Sequence, residues 1–271
     1  MKPAAFDYIL VEHIDEAAAL LADIGEDARI LAGGQSLIAM LNMRLAKPQA
    51  LIDIMHASDL PEFSVKDREI TVPATLTQAA LLGHANIAGS SLLSQTLPWV
   101  GHPQTRARGT ICGSLAHADP SAELPLALMA LQGRVRLRSA AGVREVAADD
   151  FFKGMMLTDC QPDELIEAAV FPVGGRAAFA EVGRRKGDFA IVACAAIQSG
   201  RKTRLAVGGI NDTPAIRDWD DLDEAEIDDA LAEFAASLDA REDLHATAQY
   251  RRRLVRKLGY KTIVEARKCV V

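Results

Sequence analysis

Arg29-Ile30-Leu31-Ala32-Gly33-Gly34-Gln35-Ser36-Leu37 is the stretch whose reading decides the fold. Residues 29–31 suit a short strand, the paired glycines break it, and a helical spacing follows in which Leu37, Ile38, Leu41 and Leu45 share one face. Glycines at a strand-to-helix junction permit positive φ, and without Cβ atoms they let backbone approach a bulky ligand. Exposed amides there, reinforced by a helix N-terminus, suit a phosphate. Ser36 is placed to cap the helix or to donate its hydroxyl to the same phosphate. Taken alone the motif is also ordinary turn chemistry: no Gly-Lys-Ser/Thr follows it, and it is not a Gly-x-Gly-x-x-Gly fingerprint.

Eighty residues further on, Gly109-Thr110-Ile111-Cys112-Gly113-Ser114-Leu115 answers it, inside the longer run Gln104–Pro125. That run is dense in small, hydroxyl and acidic residues and ends as the apolar stretch Leu124–Leu131 begins. With few bulky apolar anchors, its polar groups need partners if it is to be buried. A large polar cofactor would supply them.

Ala32-Gly33-Gly34-Gln35-Ser36, Thr110-Ile111-Cys112-Gly113-Ser114 and Ala116-His117-Ala118-Asp119-Pro120 together resemble the FAD-binding medium subunit of the molybdenum hydroxylases. This group includes carbon monoxide dehydrogenase, xanthine dehydrogenase and bacterial N-heterocycle hydroxylases. Arg184-Arg185-Lys186-Gly187-Asp188-Phe189-Ala190 and Gly208-Gly209-Ile210 extend the resemblance over nearly the whole chain, in the same order.

The resemblance implies an α+β chain: a two-subdomain FAD-binding fold of the vanillyl-alcohol oxidase (PCMH) type plus a C-terminal α+β domain. FAD would lie between the two subdomains. Ala32, Gly33, Gly34, Gln35 and Ser36 would wrap the pyrophosphate with main-chain amides, within a contact stretch that also takes in Ile30, Leu31 and Leu37. Thr110, Gly113 and Ser114 would do the same from the opposite subdomain. His117, Asp119 and Glu123 would lie along the ribityl chain or adenosine, Glu123 ahead of Asp119, and Leu165 would pack near the flavin ring. Ordinary readings stand beside these: a structural histidine for His117, a turn opener for Asp119-Pro120, a first-turn acid for Glu123 and a core strand residue for Leu165.

Two departures stand out. Cys112 occupies a position where the family usually has glycine, and cysteine takes positive φ only at a cost. It is read as a small buried packing residue, with a redox role beside the flavin as the alternative. Where some relatives carry a tyrosine or lysine close to the isoalloxazine, this chain has Phe179, Ala180 and Glu181, so a cation there would have to come from Lys186. Asp188 would help order that loop.

By the same resemblance, the organic substrate is oxidised at a molybdenum cofactor on a large subunit, and electrons cross [2Fe-2S] clusters on a small iron–sulfur subunit. They reach FAD on this chain, which passes them to an external acceptor. The molybdenum cofactor and the clusters belong to those partners. No catalytic residue and no metal ligand is nominated in this chain. Its task would be to orient the flavin and set its electronics. Two rivals remain, a stand-alone flavin oxidoreductase of the same fold and a non-catalytic binding or assembly protein.

The 271 residues exceed the usual single-domain size. The reading divides them into 1–55 (first FAD-binding subdomain), 56–173 (second) and 174–271 (C-terminal domain), with Phe171–Arg176 as linker. Helices are expected at about Ile14–Ile24, ended by Gly25, and from Thr77. Strands are expected at Leu51–Ile54, Glu69–Pro73, Arg134–Arg138, Ala177–Val182, Ile191–Gln198 and Thr203–Gly208. Ile227, Leu231, Phe234 and Leu238 mark a late helix, and Tyr250, Leu254 and Leu258 another. Acidic 218–229 and the basic run from Arg251 are read as two solvated amphipathic helices, or as a partner contact.

Hydrophobic residues make up 49% and aromatics 5%, so aliphatic side chains must build the core. Thirty-seven acidic against thirty basic residues give a net charge of −7, which argues against nucleic acid as the main partner. Cys112, Cys160, Cys194 and Cys269 are scattered, forming neither a disulfide framework nor a cluster ligand set. Met1-Lys2-Pro3 does not open a secretory signal and no apolar run reaches the ~18 residues of a membrane span. The expectation is a cytoplasmic protein without a membrane span.

Overall fold

The first elements are β1 (Asp7–Leu10), α1 (Ile14–Ile24), β2 (Ala28–Leu31), α2 (Leu37–Asn42) and β3 (Ala50–Asp53) in the computed structural model, which describes residues 2–85 and 91–269. The three strands form a parallel sheet in the order β1-β3-β2. Helix α1 buries Ile14, Ala17, Ala18 and Leu21, and it ends at Gly25, where φ is 67°. Helix α2 is shorter than its spacing predicts. Arg44 takes a φ of 59°, which breaks the helix before Lys47-Pro48 can. Leu41 is therefore buried, while Leu45 lies past the helix end and is 71% exposed.

Next come β4 (Ser64–Lys66), β5 (Glu69–Pro73), α3 (Gln78–Ala85), α4 (Ser91–Thr96), α5 (Pro103–Arg108), α6 (Ile111–His117) and α7 (Glu123–Ala130). They are followed by β6 (Arg134–Ser139), β7 (Gly142–Ala147), α8 (Ala148–Phe151), the small hairpin β8 (Phe152–Gly154) and β9 (Leu157–Thr158), and β10 (Leu165–Pro172). Five of these strands pair antiparallel in the order β4-β5-β10-β6-β7. In β6, Val135 and Leu137 point into the core while the arginines between them face water. Those arginines are held by carboxylates: Arg134 by Glu69 at 2.6 Å, Arg136 by Glu145 at 2.7 Å and Arg138 by Glu167 at 2.7 Å.

The last unit is an antiparallel meander, β11 (Arg176–Val182), β12 (Val192–Ser199), β13 (Lys202–Gly208) and β14 (Ala215–Asp220), with α9 (Ile227–Ser237) and α10 (Ala248–Lys268) on one face. Ala178, Ala180, Cys194, Leu205 and Val207 form a core with those helices, whereas Ala177, Phe179, Ala193, Ala195 and Ala206 join the core of the preceding unit. Alanine on both faces lets two layers approach the same sheet closely. Gln95 clamps the join, donating to the Ala177 carbonyl at 3.0 Å and accepting from the Phe179 amide at 3.1 Å. The Gly209 amide donates to the Pro120 carbonyl at 2.7 Å.

Two late readings need correction. Residues 218–220 belong to edge strand β14 rather than to a helix, because Asp218 is drawn across the sheet to Arg204 at 2.7 Å. The basic helix α10 is not simply solvated: Arg251 is 1% exposed.

Candidate functional site

The site is built where the first two glycine-bearing segments touch. A Cβ on Gly33 would stand 2.1 Å from the Arg108 carbonyl oxygen and 2.7 Å from Gly109 Cα, so the loop after β2 lies directly on the backbone that leads into α6. Gly34 takes a φ of 71°. The turn is closed by Gln35 Nε2 donating to the Gly33 carbonyl at 3.1 Å and by the Ile38 amide donating to the Gly34 carbonyl at 3.0 Å. The amides of Gly33, Gly34, Gln35 and Ser36 have no acceptor within the described chain. Ser36 stands at the N-cap of α2, yet its hydroxyl makes no capping bond. A row of donors is left unspent beside a bare backbone contact.

The opposing segment is arranged differently from the expectation. Thr110 is the N-cap of α6, its Oγ1 accepting from the Gly113 amide at 3.0 Å, and the Ser114 amide donates to the Thr110 carbonyl at 3.3 Å. Gly113 and Ser114 therefore do not present free amides there, because the first turn of the helix consumes them. What this side offers is the Cβ-less surface of Gly113, exposed to solvent, and the hydroxyl of Ser114. A Cβ on Gly113 would lie 2.7 Å from Thr110 Oγ1. Cys112 sits in the helical region, so the feared backbone cost does not arise. It is 3% exposed with Sγ 3.6 Å from the Val72 carbonyl, and burial pushes its thiol up to about 12.

His117 is the last residue of α6, half-buried, and Ala118 turns the chain with a φ of 50°. Asp119 Oδ1 accepts from the Ser121 amide at 2.8 Å, an Asx turn of the kind the Asp-Pro pair suggests. Glu123 opens α7 and is 3% exposed. Burial pushes its carboxyl up to about 7, its own amide opposing and the charge of Asp119 adding to the rise. Leu165 begins β10 at 2% exposure, packed beneath the surface in the core. Ile30, Leu31, Ala32 and Leu37 flank the first glycine turn and are half-buried.

The Arg184–Asp188 loop reaches back from the last unit onto this surface. A Cβ on Gly187 would meet the His102 ring at 2.8 Å, and Lys186 Nζ stands 5.5 Å from the centroid of the Trp99 ring. The cation is thus engaged by an aromatic face, and Trp99 in turn lies 6.4 Å from the Phe179 ring. Arg184 and Asp188 pair at 3.3 Å, while Phe189 is 58% exposed.

Three polar residues here escaped the sequence reading as candidates. Gln78 is 5% exposed with Oε1 unpartnered, 3.1 Å from where a Gly109 Cβ would be. Glu181 buries an unpartnered Oε2, and burial followed by the charge of Glu123 pushes it up to about 8. Trp99 is the seat for Lys186. The one usable signal was Glu181, an acid in the otherwise apolar strand Ala177–Val182. Among the described residues, no three His, Cys, Asp or Glu side chains gather as a metal site, and no helix is long and apolar enough to cross a membrane.

Residues 4–174 match the family described as FAD binding domain in molybdopterin dehydrogenase, and residues 177–266 match the CO dehydrogenase flavoprotein C-terminal domain. The chain is 38% identical to the 6-hydroxypseudooxynicotine dehydrogenase complex subunit alpha of Paenarthrobacter nicotinovorans, over 98% of this chain and 96% of that one. It is 33% identical to the carbon monoxide dehydrogenase medium chain of Afipia carboxidovorans, over 94% of each. Among solved structures, quinoline 2-oxidoreductase from Pseudomonas putida 86 superposes with a TM-score of 0.90 at 34% identity, covering 98% of both chains.

Proposed function

From the fact that this chain belongs to the FAD-binding medium subunits of the molybdenum hydroxylases, which are oxidoreductases, we propose that it is the electron-relay station of its complex. It takes electrons from iron–sulfur clusters on a small partner subunit and delivers them through FAD to an external acceptor, while a large partner holds the molybdenum cofactor. The observation that carries the reading is the unspent amide row of Gly33–Ser36 lying on the Gly109 backbone.

The residues present fit FAD. A diphosphate needs donors without bulk, and the Gly33–Ser36 turn supplies four amides and a free serine hydroxyl. Ser114 adds a hydroxyl from the far side, and Glu123 is an acceptor set for sugar or ribityl hydroxyls. Bound FAD supplies the redox chemistry. The chain's own part is to hold it, to exclude water with the last unit, and to keep charged groups such as Lys186 fixed against Trp99.

The test is spectroscopic. Purified chain should carry, or take up, noncovalent FAD, and its flavin should be reduced by the organic substrate only when both partner subunits are present. Substrate turnover by the FAD-loaded chain alone would favour a stand-alone flavin enzyme. A chain that refuses FAD would favour a binding protein.

A further inference from the structure

Four segments far apart in the sequence bring polar side chains to one cavity of about 70 Å³. Ser121 comes from the loop between α6 and α7, and Arg184 and Phe189 from the loop between β11 and β12. Arg241 and Asp243 come from the loop between α9 and α10, and Arg251 from α10 itself. Hydrogen bonds fix these walls. Arg241 Nη2 donates to Ser121 Oγ at 2.5 Å, and the Arg241 amide donates to the Ile210 carbonyl at 3.1 Å. Arg251 Nη2 donates to Asp243 Oδ2 at 2.6 Å, while its Nη1 holds the Ile191 carbonyl at 2.5 Å. Ser121 and Arg251 are buried and make the inner wall; Arg184 and Phe189 are exposed and stand at the mouth.

The charges lining this cavity do not cancel. Arg184 is paired with Asp188 at 3.3 Å, and Arg251 with Asp243 at 2.6 Å. Asp243 has no capacity to spare, because its Oδ1 also accepts the amides of His245 at 2.8 Å and Ala246 at 3.0 Å. Arg241 has no carboxylate partner among the described residues, and its side chain bonds there to the Ser121 hydroxyl alone. In a chain of net charge −7, a half-buried arginine is left without an acid. Donors are in surplus as well. Nε of Arg241 and Nε of Arg251 are both buried with no acceptor, and Arg184 uses only Nη2. Buried donors without partners are rare enough in folded proteins to need a reason.

A surplus guanidinium with free N–H groups is matched by an oxyanion. One arginine fork satisfies a planar carboxylate. Here cationic groups converge from three segments and a hydroxyl from a fourth, an arrangement that suits a phosphoryl group with its three or four oxygens. The size agrees, since a cavity of about 70 Å³ has the room of roughly two waters at about 30 Å³ each, too little for a whole coenzyme.

We propose that this cavity is a binding site for a phosphate group, held chiefly by Arg241, closed at the mouth by Arg184, and given a hydroxyl donor by Ser121. A serine hydroxyl can accept from Arg241 and donate to the anion at once. The site shares no residue with the Gly33–Ser36 turn, so it does not depend on the FAD reading. Phe189, 58% exposed at the rim, offers a flat apolar face. The phosphate is therefore a free ion, or the phosphomonoester of a nucleotide whose base stacks on that ring.

The experiment is calorimetric titration of the full chain, with and without FAD, by inorganic phosphate at pH 7.5, with chloride at matched ionic strength as control. Wild type should bind one phosphate with a Kd of about 1 mM or tighter, and chloride should give no saturable heat. Arg241→Gln should weaken binding about tenfold or more, the usual loss for a hydrogen bond to a charged group. Arg184→Gln, at an exposed pair that folding does not need, should weaken it about threefold and keeps the test open if the first variant fails to fold. A parallel titration with AMP separates the sources: binding at least tenfold tighter than phosphate, lost in Phe189→Ala, identifies a nucleotide, and equal affinity identifies the free ion. No saturable phosphate binding at 10 mM, or unchanged affinity in both arginine variants, overturns the inference. Displacement of the phosphate by FAD also overturns it, since the anion would then occupy the dinucleotide's own site.

Discussion

Arg251 donates from Nη1 to the carbonyl oxygen of Gly209 at 2.6 Å, tying the middle of the last unit to the turn that docks on Pro120. The same nitrogen donates to the Ile191 carbonyl at 2.5 Å, and Nη2 reaches Asp243 at 2.6 Å. A guanidinium is needed because its fork serves two carbonyls and a carboxylate at once. Arg251→Met should cost about 3–5 kcal/mol, the usual penalty for stranding partners of a buried charge. Thermal unfolding of the cofactor-free chain reads it, and Arg251→Lys should not restore the loss. A variant as stable as wild type would mean the clamp is redundant.

Gly33→Ala places a methyl group 2.1 Å from the Arg108 carbonyl, where both partners are backbone and neither can swing away. The expected result is a lower melting temperature without FAD as well as loss of FAD retention. Gly83→Ala is the control: an exposed glycine in α3 whose Cβ would meet nothing within 4 Å. It should gain about 0.5–1 kcal/mol from helix propensity.

Stability of the cofactor-free chain should fall as pH rises. Glu123 and Glu181 have folded-state values of about 7 and about 8 against an ordinary 4.5, so the native state binds more protons than the unfolded one between about pH 4.5 and 8. Stability is therefore fullest at the acid end of that window and is lost through it. Denaturant titrations at pH 5, 6.5 and 8 should show the decline, and it should be shallower in Glu123→Gln. A rise with pH over the same interval would contradict the burial of the pair.

Cys112 and Cys194 should be silent to thiol reagents until the chain unfolds. Both are fully enclosed, and burial raises Cys112 to about 12 and Cys194 further still. Timed labelling at pH 8 with mass-spectrometric assignment checks this. Fast labelling of Cys112 in the folded chain would reopen a redox role for it.

Much of the fold was legible in local pattern. Alternation in Arg134–Arg138, the Gly25 stop after α1 and the apolar spacing of Ile227, Leu231 and Phe234 each report on a few neighbouring residues, and each element formed where that spacing put it. The failures were of tertiary origin. Nothing around Arg44 announces the φ of 59° that ends α2 early. Arg251 looks like its neighbours Arg252 and Arg253, and only the approach of the Ile191 and Gly209 carbonyls distinguishes it. At the site, the glycine turns were readable because missing side chains leave a mark in the sequence. The fate of the Gly113 amide was not, since it depends on which hydroxyl arrives first, and Thr110 does.

The clamps of the join all pair an earlier residue with one at 177 or beyond: Gln95 with Ala177, Pro120 with Gly209, Ser121 with Arg241. On the ribosome, then, the glycine cradle is complete before its cover has been synthesised. Elongation at about 5–20 residues per second leaves an interval on the order of ten seconds between the two. Supplying FAD during or only after cell-free synthesis, and comparing occupancy, would reveal whether that interval is used. For a cofactor this large, the chain's own direction of translation keeps the door open while the room is being finished.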